Sequence, residues 1–374
     1  MQQAGSHDAG RPVTPSKVAI VILGYNARKS LGPLLDRAID SALGQSYGNV
    51  KVIFADNGSA DDSAEYVSSK YGDKVRVVRL GRNYGFCLGN NLAVRHLSPD
   101  IKYILFMNPD AVLEERYVEK LVGIMERDES VGIAQGLQRS LGGSFSSLGG
   151  YVDSYGRAVE VDVSGLEGRL SGLDAVFEVA WASGSAMMVR RELFERLGGF
   201  SPELFMYHDE IDLCARALSL GYRTVVYPRA VYYHRRGTEG APKRINWLSW
   251  YLANRNKWLT TVRYFPLKHV LRALLLYLPV EVLINVLKSV RKGERARARL
   301  QLRIVWHVAR NLRREASFRR RWRPGLRGLE GFIMDVPSPL IGVDPRRALR
   351  KLLSHAHGAP RPKSGRAKAS PGRA

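Results

Sequence analysis

A strand buried on both faces of a parallel sheet cannot alternate polar with apolar residues, because neither side meets water. Residues 18–23 (VAIVIL) form such an unbroken run of β-branched and aliphatic side chains. Similar runs recur at 50–55 (VKVIFA), 75–80 (VRVVRL) and 103–107 (YILFM). Between them lie stretches with helical spacing, as at 31–43, where Leu34, Leu35, Ala38, Ile39, Ala42 and Leu43 recur at helical intervals. Strand and helix alternate at the pace of βαβ units, which predicts an α/β domain on a mainly parallel, Rossmann-like sheet.

Ligands of such sheets bind beyond the carboxyl ends of the strands. The polar clusters of this chain sit at those ends: Gly24-Tyr25-Asn26, Asp56-Asn57-Gly58-Ser59 and Asn108-Pro109-Asp110 each follow a run directly, which predicts one composite site. After about residue 137 the pattern loosens into Gly- and Ser-rich sequence. It regains order at 176–181, in helices at about 190–197 and 209–218, and in strands at 222–226 and 231–234.

Cys87 and Cys214 are the only cysteines, too few for a disulfide framework, and they form no C-x-x-C pair; a reducing compartment fits best. Residues 1–16 are rich in Gly, Pro, Ser and Ala without the apolar run of a secretory signal, and are expected to be a disordered lead-in. The net charge of +23 is unevenly placed. From residue 243 onward there are 31 Lys or Arg against 6 Asp or Glu, whereas the first 242 residues hold 27 against 29.

Four constellations carry chemistry. Asp56, before Asn57-Gly58-Ser59-Ala60-Asp61, offers a carboxylate able to accept from the imide N–H of uracil or thymine; Ser59 or Asp61 equally suits a helix N-cap. Asp110, on a rigid Pro-containing turn, suits a hard divalent cation that also holds two phosphates, though an ordinary Pro-Asp turn has the same sequence. His208-Asp209-Glu210-Ile211-Asp212 packs more acid at a helix start than capping needs, and crowded like charges raise a carboxyl pKa toward the range of a general base. A charged, solvated helix start is the alternative. His234, at the end of an apolar strand and before Arg235 and Arg236, can complete a metal shell begun by Asp110, or be structural.

The succession GYN, DNGSADDS, RNYGFCLGNN, NPD, WASGSAMMVRRELFERLGGF, HDEIDLC and YYH over residues 18–236 resembles the family 2 glycosyltransferases with the GT-A fold, and their rhamnosyltransferase-like members in particular. The resemblance implies an inverting transferase that uses a nucleotide-sugar donor, dTDP-rhamnose or a UDP-sugar, and a divalent cation, Mg²⁺ or Mn²⁺. Gly24, Tyr25, Asn26, Asp56, Asn83, Gly85, Asn91, Asn108 and Asp110 then fall on the donor side, with Asp56 reading the base. Asp110 matches the last aspartate of the DXD metal motif, Asn108 stands in its first position, and His234 fits the downstream metal-binding histidine. Trp181, Ser183 and Gly184 match the acceptor-side stretch, where an indole face could stack on a sugar. Asp209-Glu210 reverses the usual Glu-Asp order, so both are candidates for the catalytic base. Asn254-Arg255-Asn256-Lys257-Trp258 departs from the Gln-x-x-Arg-Trp motif of processive synthases, which favours single addition.

These readings divide the chain into a lead-in (1–16), a GT-A domain (17–242), a basic amphipathic helical region (243–330) and a basic tail (331–374) that is disordered after 360. The 18 residues at 270–287 are interrupted by Arg272, Pro279, Glu281 and Asn285, and are expected to fall short of the roughly 20 apolar residues of a membrane span. With the surrounding Trp, Tyr and Arg they predict a cytoplasmic enzyme, peripheral on the inner face of the membrane, bound to anionic lipid beside a glycan or polyprenyl-linked acceptor in cell-envelope polysaccharide synthesis. Two other readings compete. A sugar nucleotidyltransferase would need a Gly-rich loop where Gly24-Tyr25-Asn26 stands. A nucleic-acid binder could use the basic third but would lack a recognised motif, so no nucleic acid is expected.

Overall fold

A computed structural model describes residues 15–143, 145–235, 245–322, 329–336 and 343–358. Its first half is the expected parallel array. Strand β1 (Lys17–Gly24) lies between β2 (Val50–Asp56) and β4 (Ile101–Met107), with β3 (Val75–Arg79) outside β2, all parallel. Along β1, Val18, Ile20 and Ile22 enter one core and Ala19 and Val21 the other, so the run is apolar throughout because both faces are covered. Helices Pro33–Leu43 and Tyr117–Arg127 supply the first core, and Gly85–Val94, Arg191–Leu197 and Asp209–Ser219 the second. In register, Gly24 faces Asp56 and Ile22 faces Met107, which brings the three polar turns to one edge.

Beyond β4 the sheet is mixed rather than mainly parallel. Strand β10 (Ala186–Arg190) runs antiparallel between β4 and β6 (Val131–Ser140). Next come β11 (Arg223–His234), parallel to β6, and β9 (Ala175–Glu178), antiparallel to β11. The two strands expected at 222–226 and 231–234 are one, with an irregularity between Tyr227 and Val231. A short β5 (Ala111–Leu113) pairs with the far end of β11, setting Ala111 opposite His234.

The Gly/Ser-rich stretch is ordered. In β7 (Ser146–Asp153) every residue is buried; it pairs with β8 (Ala158–Asp162), and its glycines make room for Trp181. A Cβ on Gly150 would lie 2.2 Å from the indole.

The basic third is not an appendage. Helices Trp247–Tyr264, Leu267–Lys292 and Arg295–Trp322 stack on the α/β core through buried ions. Arg263 donates to Asp212 (2.9 Å), Glu315 (2.5 Å) and Glu203 (2.5 Å), and Asp212 also pairs with Arg216 (2.6 Å). Beyond them β12 (Ile333–Met334) pairs with β7, and helix Pro345–Ser354 leads into β13 (Ala356–Gly358), which extends the sheet beside β9. Residues 333–358 therefore include sheet strands where a basic tail was expected. At the other end Pro15 and Ser16 are tied down by Asn49 and Tyr47. The rest of the expected lead-in, and the segment after 360, lie outside the described residues.

One expectation is corrected. Leu267–Lys292 is a continuous helix of 26 residues, long and apolar enough by length and composition alone to cross a membrane. It runs through Pro279 because the preceding turn, Ala273–Tyr277, widens to π-helical spacing, which accommodates the proline ring.

Replacing Arg263 by Met should cost about 3–5 kcal/mol in urea unfolding, because buried carboxylates lose their partner. Arg314→Ala should cost less than about 1 kcal/mol, since that side chain is 53% exposed.

Candidate active site

The turns at the carboxyl ends of β1 and β2 are stapled together by hydrogen bonds through Asn26. Asn26, held in the left-handed region at φ 48°, accepts from Ala60 N (2.7 Å) through its side chain and donates its own N–H to Ser59 Oγ (2.9 Å). Tyr25 beside it is 48% exposed. Asp61 accepts from Ser63 N and Lys29 N, but the N-cap position of the helix Ser63–Tyr71 is Asp62, so neither Ser59 nor Asp61 is its N-cap. Asp56 Oδ2 meets Ser59 N at 3.3 Å, and its Oδ1 is buried with no hydrogen-bond partner among the described residues. An unpaired buried acceptor costs about 1–3 kcal/mol, and at a strand end this oxygen is open to a donor from a bound ligand.

Asn57, which the sequence reading passed over, fixes the next segment. Its side chain donates to Asn83 Oδ1 and Gly85 O and accepts from Tyr84 N. Exposed Asn83 also caps Gly85 N. Gly85 has φ +73°, and a Cβ there would lie 2.5 Å from Phe205 O. Asn91 has a different place from the one expected beside the nucleotide. Its amide is occupied by both backbone groups of Phe200 (2.8 Å each), so it braces the fold.

Asp110 and His234 do meet: Oδ1 to Nε2 is 3.1 Å, and Asn108 Nδ2 lies 3.3 Å from the same ring nitrogen. Both acid and imidazole are about one-fifth exposed. A Mg²⁺ or Mn²⁺ ion that takes one or two protein ligands plus substrate oxygens fits this pair of hard oxygen and borderline nitrogen. Among the described residues no group of three His, Cys, Asp or Glu is gathered there, so the remaining ligands would come from donor phosphate and water. Beneath the turn, Asn108 N donates to Ser185 O. A buried hydroxyl and amide network links Ser183, Ser185, Gln135, Gln138 and Tyr232. No motif announced that network; its signal was polar residues inside strands.

On the acceptor side Gly184 lies against Phe86, and a Cβ there would sit 3.8 Å from Asp209 Oδ2. Ser183 is held by Gln135. Trp181 differs from expectation: it is only 7% exposed, with Nε1 bonded to Tyr151 O and its ring over Gly150, so it offers no open face for a sugar.

Asp209 and Glu210 open the helix Asp209–Ser219 behind three residues with positive φ, Phe205, Tyr207 and His208. Burial first, and then the charge of Glu210, push the Asp209 carboxyl well above its ordinary range. Burial also raises Glu210, while a hydrogen bond from Asp209 favours its ionised form. His208 is held neutral, its pKa lowered to about 3 by burial and by Lys257. Asp212 is excluded from the chemistry. Burial disfavours its charge, but Arg216 and Arg263 outweigh that and keep it below the usual carboxylate range. The strained loop is clamped by a residue that sequence reading noted only as a mismatch. Asn256 Nδ2 donates to the carbonyls of Leu204, Met206 and Tyr207 (2.8–2.9 Å).

Residues 19–198 match the family model described as glycosyl transferase family 2, so the chain carries a glycosyltransferase domain of that family. Over 202 residues it is 23% identical to the low-salt glycan biosynthesis hexosyltransferase Agl10 of Haloferax volcanii, an alignment covering 54% of this chain and 61% of that one. Over 228 residues it is 27% identical to an N-acetylglucosaminyl-diphospho-decaprenol L-rhamnosyltransferase of Mycobacterium tuberculosis, covering 55% and 73%. Among solved structures it resembles GalNAc-T7 with UDP, GalNAc and Mn²⁺, at a TM-score of 0.54 and 14% identity over 67% of this chain and 49% of that one, a likeness of fold.

Gly85→Ala should push the loop at Phe205 outward. We expect a loss of about 2 kcal/mol in thermal unfolding and a larger fall in turnover than in nucleotide affinity.

Proposed function

We propose that the chain transfers a sugar, with inversion, from a thymidine- or uridine-diphosphate donor, dTDP-rhamnose first, to a hydroxyl of a glycan or polyprenyl-linked acceptor, beside an anionic membrane surface in envelope polysaccharide synthesis. The observation that carries the reading is Asp56: a buried carboxylate oxygen without a partner among the described residues, opposite Gly24 in register, at the end of a strand where nucleotides bind in such sheets. Uracil and thymine present an imide N–H to such an acceptor; cytosine presents a lone pair. The mycobacterial relative's name supports rhamnose and a polyprenyl-linked acceptor, and the Mn²⁺ and UDP in the GalNAc-T7 structure support a cation-assisted nucleotide donor.

Asp110 and His234 would hold the divalent cation, which when bound neutralises charge on the departing diphosphate. Asp209, protonated because its burial and the neighbouring charge oppose ionisation, donates to Glu210. Glu210 is thereby the carboxylate left to take the acceptor hydroxyl's proton. Asn256 positions both by holding the backbone of the preceding loop.

Calorimetric titration with UDP, dTDP and CDP tests the base pocket. UDP or dTDP should bind about tenfold or more tightly than CDP, and Asp56→Asn should erase most of that gap, the scale of a hydrogen bond to a charged group. Equal binding of all three by the wild type would sink the reading.

Glu210→Gln should lower kcat by about 10²–10⁴, with donor affinity nearly unchanged. Asp209→Asn should keep a substantial rate. Because both carboxyls are raised, the acidic limb of the kcat/KM profile should lie above the ordinary carboxylate range, with activity lost as the pH falls through it.

A further inference from the structure

We infer that the outward face of the helix Leu267–Lys292 is a lipid-docking surface that lies in the plane of an anionic bilayer interface. This deepens, and rests on, the reading of the chain as acting beside a membrane.

The helix is amphipathic in the reverse sense for a protein bathed in water. Its polar stripe, Glu281, Asn285 and Ser289 at intervals of four, faces inward, each residue 7% exposed. Glu281 accepts from Lys257 Nζ (2.6 Å) and Trp258 Nε1 (2.9 Å), Asn285 donates to Gln301 (3.1 Å), and Ser289 donates to Glu294 O (3.0 Å). Val270 and Ala273 are buried, but further along the helix large apolar residues face outward: Leu275 is 70% exposed, Leu283 58%, Leu287 52% and Val290 78%. The adjoining helix Arg295–Trp322 adds Leu302 and Trp306, both more than half exposed. Contiguous apolar surface of this kind on a water-facing helix marks an interaction site.

Charge selects the occupant. Lys288, Arg291, Lys292, Arg295 and Arg299 are all exposed around the carboxyl end of the apolar face and the start of the next helix. Leucine and valine flanked by Lys and Arg, with a tryptophan alongside, is the composition of a helix seated at the headgroup boundary of anionic lipid. A second copy of the chain would bring like charges together around the same face. A crossing orientation is opposed by the inner stripe. To span, the helix would have to abandon the Glu281–Lys257 pair and carry Glu281 into hydrocarbon, so the in-plane pose is the one that keeps every buried bond.

The test is flotation of the full chain with vesicles of phosphatidylcholine containing about 30 mol% phosphatidylglycerol, with pure phosphatidylcholine as control. The variants are Leu283→Ser/Leu287→Ser/Val290→Ser, which alters only exposed positions, and Lys288→Gln/Arg291→Gln/Lys292→Gln. Wild type should float with the anionic vesicles. The apolar triple variant should bind about tenfold or more weakly while keeping its dTDP or UDP affinity, and the charge variant should lose binding chiefly at low salt. A dye on Leu283→Cys, selective because Cys87 and Cys214 are buried, should shift to the blue on vesicles. Unchanged binding by the apolar variant would overturn the inserted face while leaving electrostatic attachment, and the transferase reading, intact. Resistance to alkaline carbonate would overturn the in-plane pose in favour of a span. A wild-type dimer that the apolar variant dissolves would assign the face to a second copy.

Discussion

Asp212 is a buried carboxylate that accepts hydrogen bonds from Ser201, Arg216, Arg263 and Tyr264, and it joins the two halves of the molecule. A buried charge is tolerable only when paired and hydrogen-bonded, and this one draws its partners from the α/β core and from the helix Trp247–Tyr264 alike. Arg263 passes the link on to Glu315 of the third C-terminal helix and back to Glu203, at the start of the loop that leads to Asp209. The candidate catalytic carboxylates Asp209 and Glu210 thus sit three and two residues from a fixed ionic anchor. Burial and the charge of Glu210 push the Asp209 carboxyl up, whereas Asp212, one helical turn on and equally deep, is held low by Arg216 and Arg263.

The parallel strands were legible because burial on both faces leaves a continuous apolar run, with no phase for a reader to mistake. Of the strands after residue 137, β9 and β11 showed as apolar runs, but β7 and β13 did not. Strand β7 is SSLGGYVD, whose glycines look like loop until Trp181 is seen lying on Gly150; its burial is a consequence of a partner residue distant in sequence. Strand β13 is a histidine between small residues at the chain's basic end, and only its antiparallel pairing with β9 makes it a strand. Periodicity within 267–292 reveals one polar stripe but carries no information on whether that stripe faces water or protein. Pairing of Glu281 with Lys257 settles the direction.

The site was legible where its residues stand at strand ends, since topology alone gathers Gly24, Asp56, Asn108 and Asp110, and β11 returns His234 to them. It was misleading where a residue of the right type had a structural task. Asn91 spends its amide on the Phe200 backbone, and Trp181 spends its indole on a strand. Spacing cannot distinguish an amide that faces a ligand from one that closes a loop.

The loop before Asp209 explains why the helix Trp247–Tyr264 belongs to the site. Phe205, Tyr207 and His208 adopt positive φ, which costs a non-glycine residue of order 1–3 kcal/mol each. Such a conformation persists only if its surroundings over-determine it. Here Asn256 holds the carbonyls of Leu204, Met206 and Tyr207, Arg255 holds those of Glu203 and Leu204, and Thr260 meets His208 Nδ1. The next two residues of that helix, Lys257 and Trp258, grip Glu281 of the outward-facing apolar helix. One turn of helix therefore fixes the carboxylate pair on one side and the apolar face on the other. Displacement of either would have to be met by breaking charged hydrogen bonds in a buried setting, so the loop and the face are held in one frame.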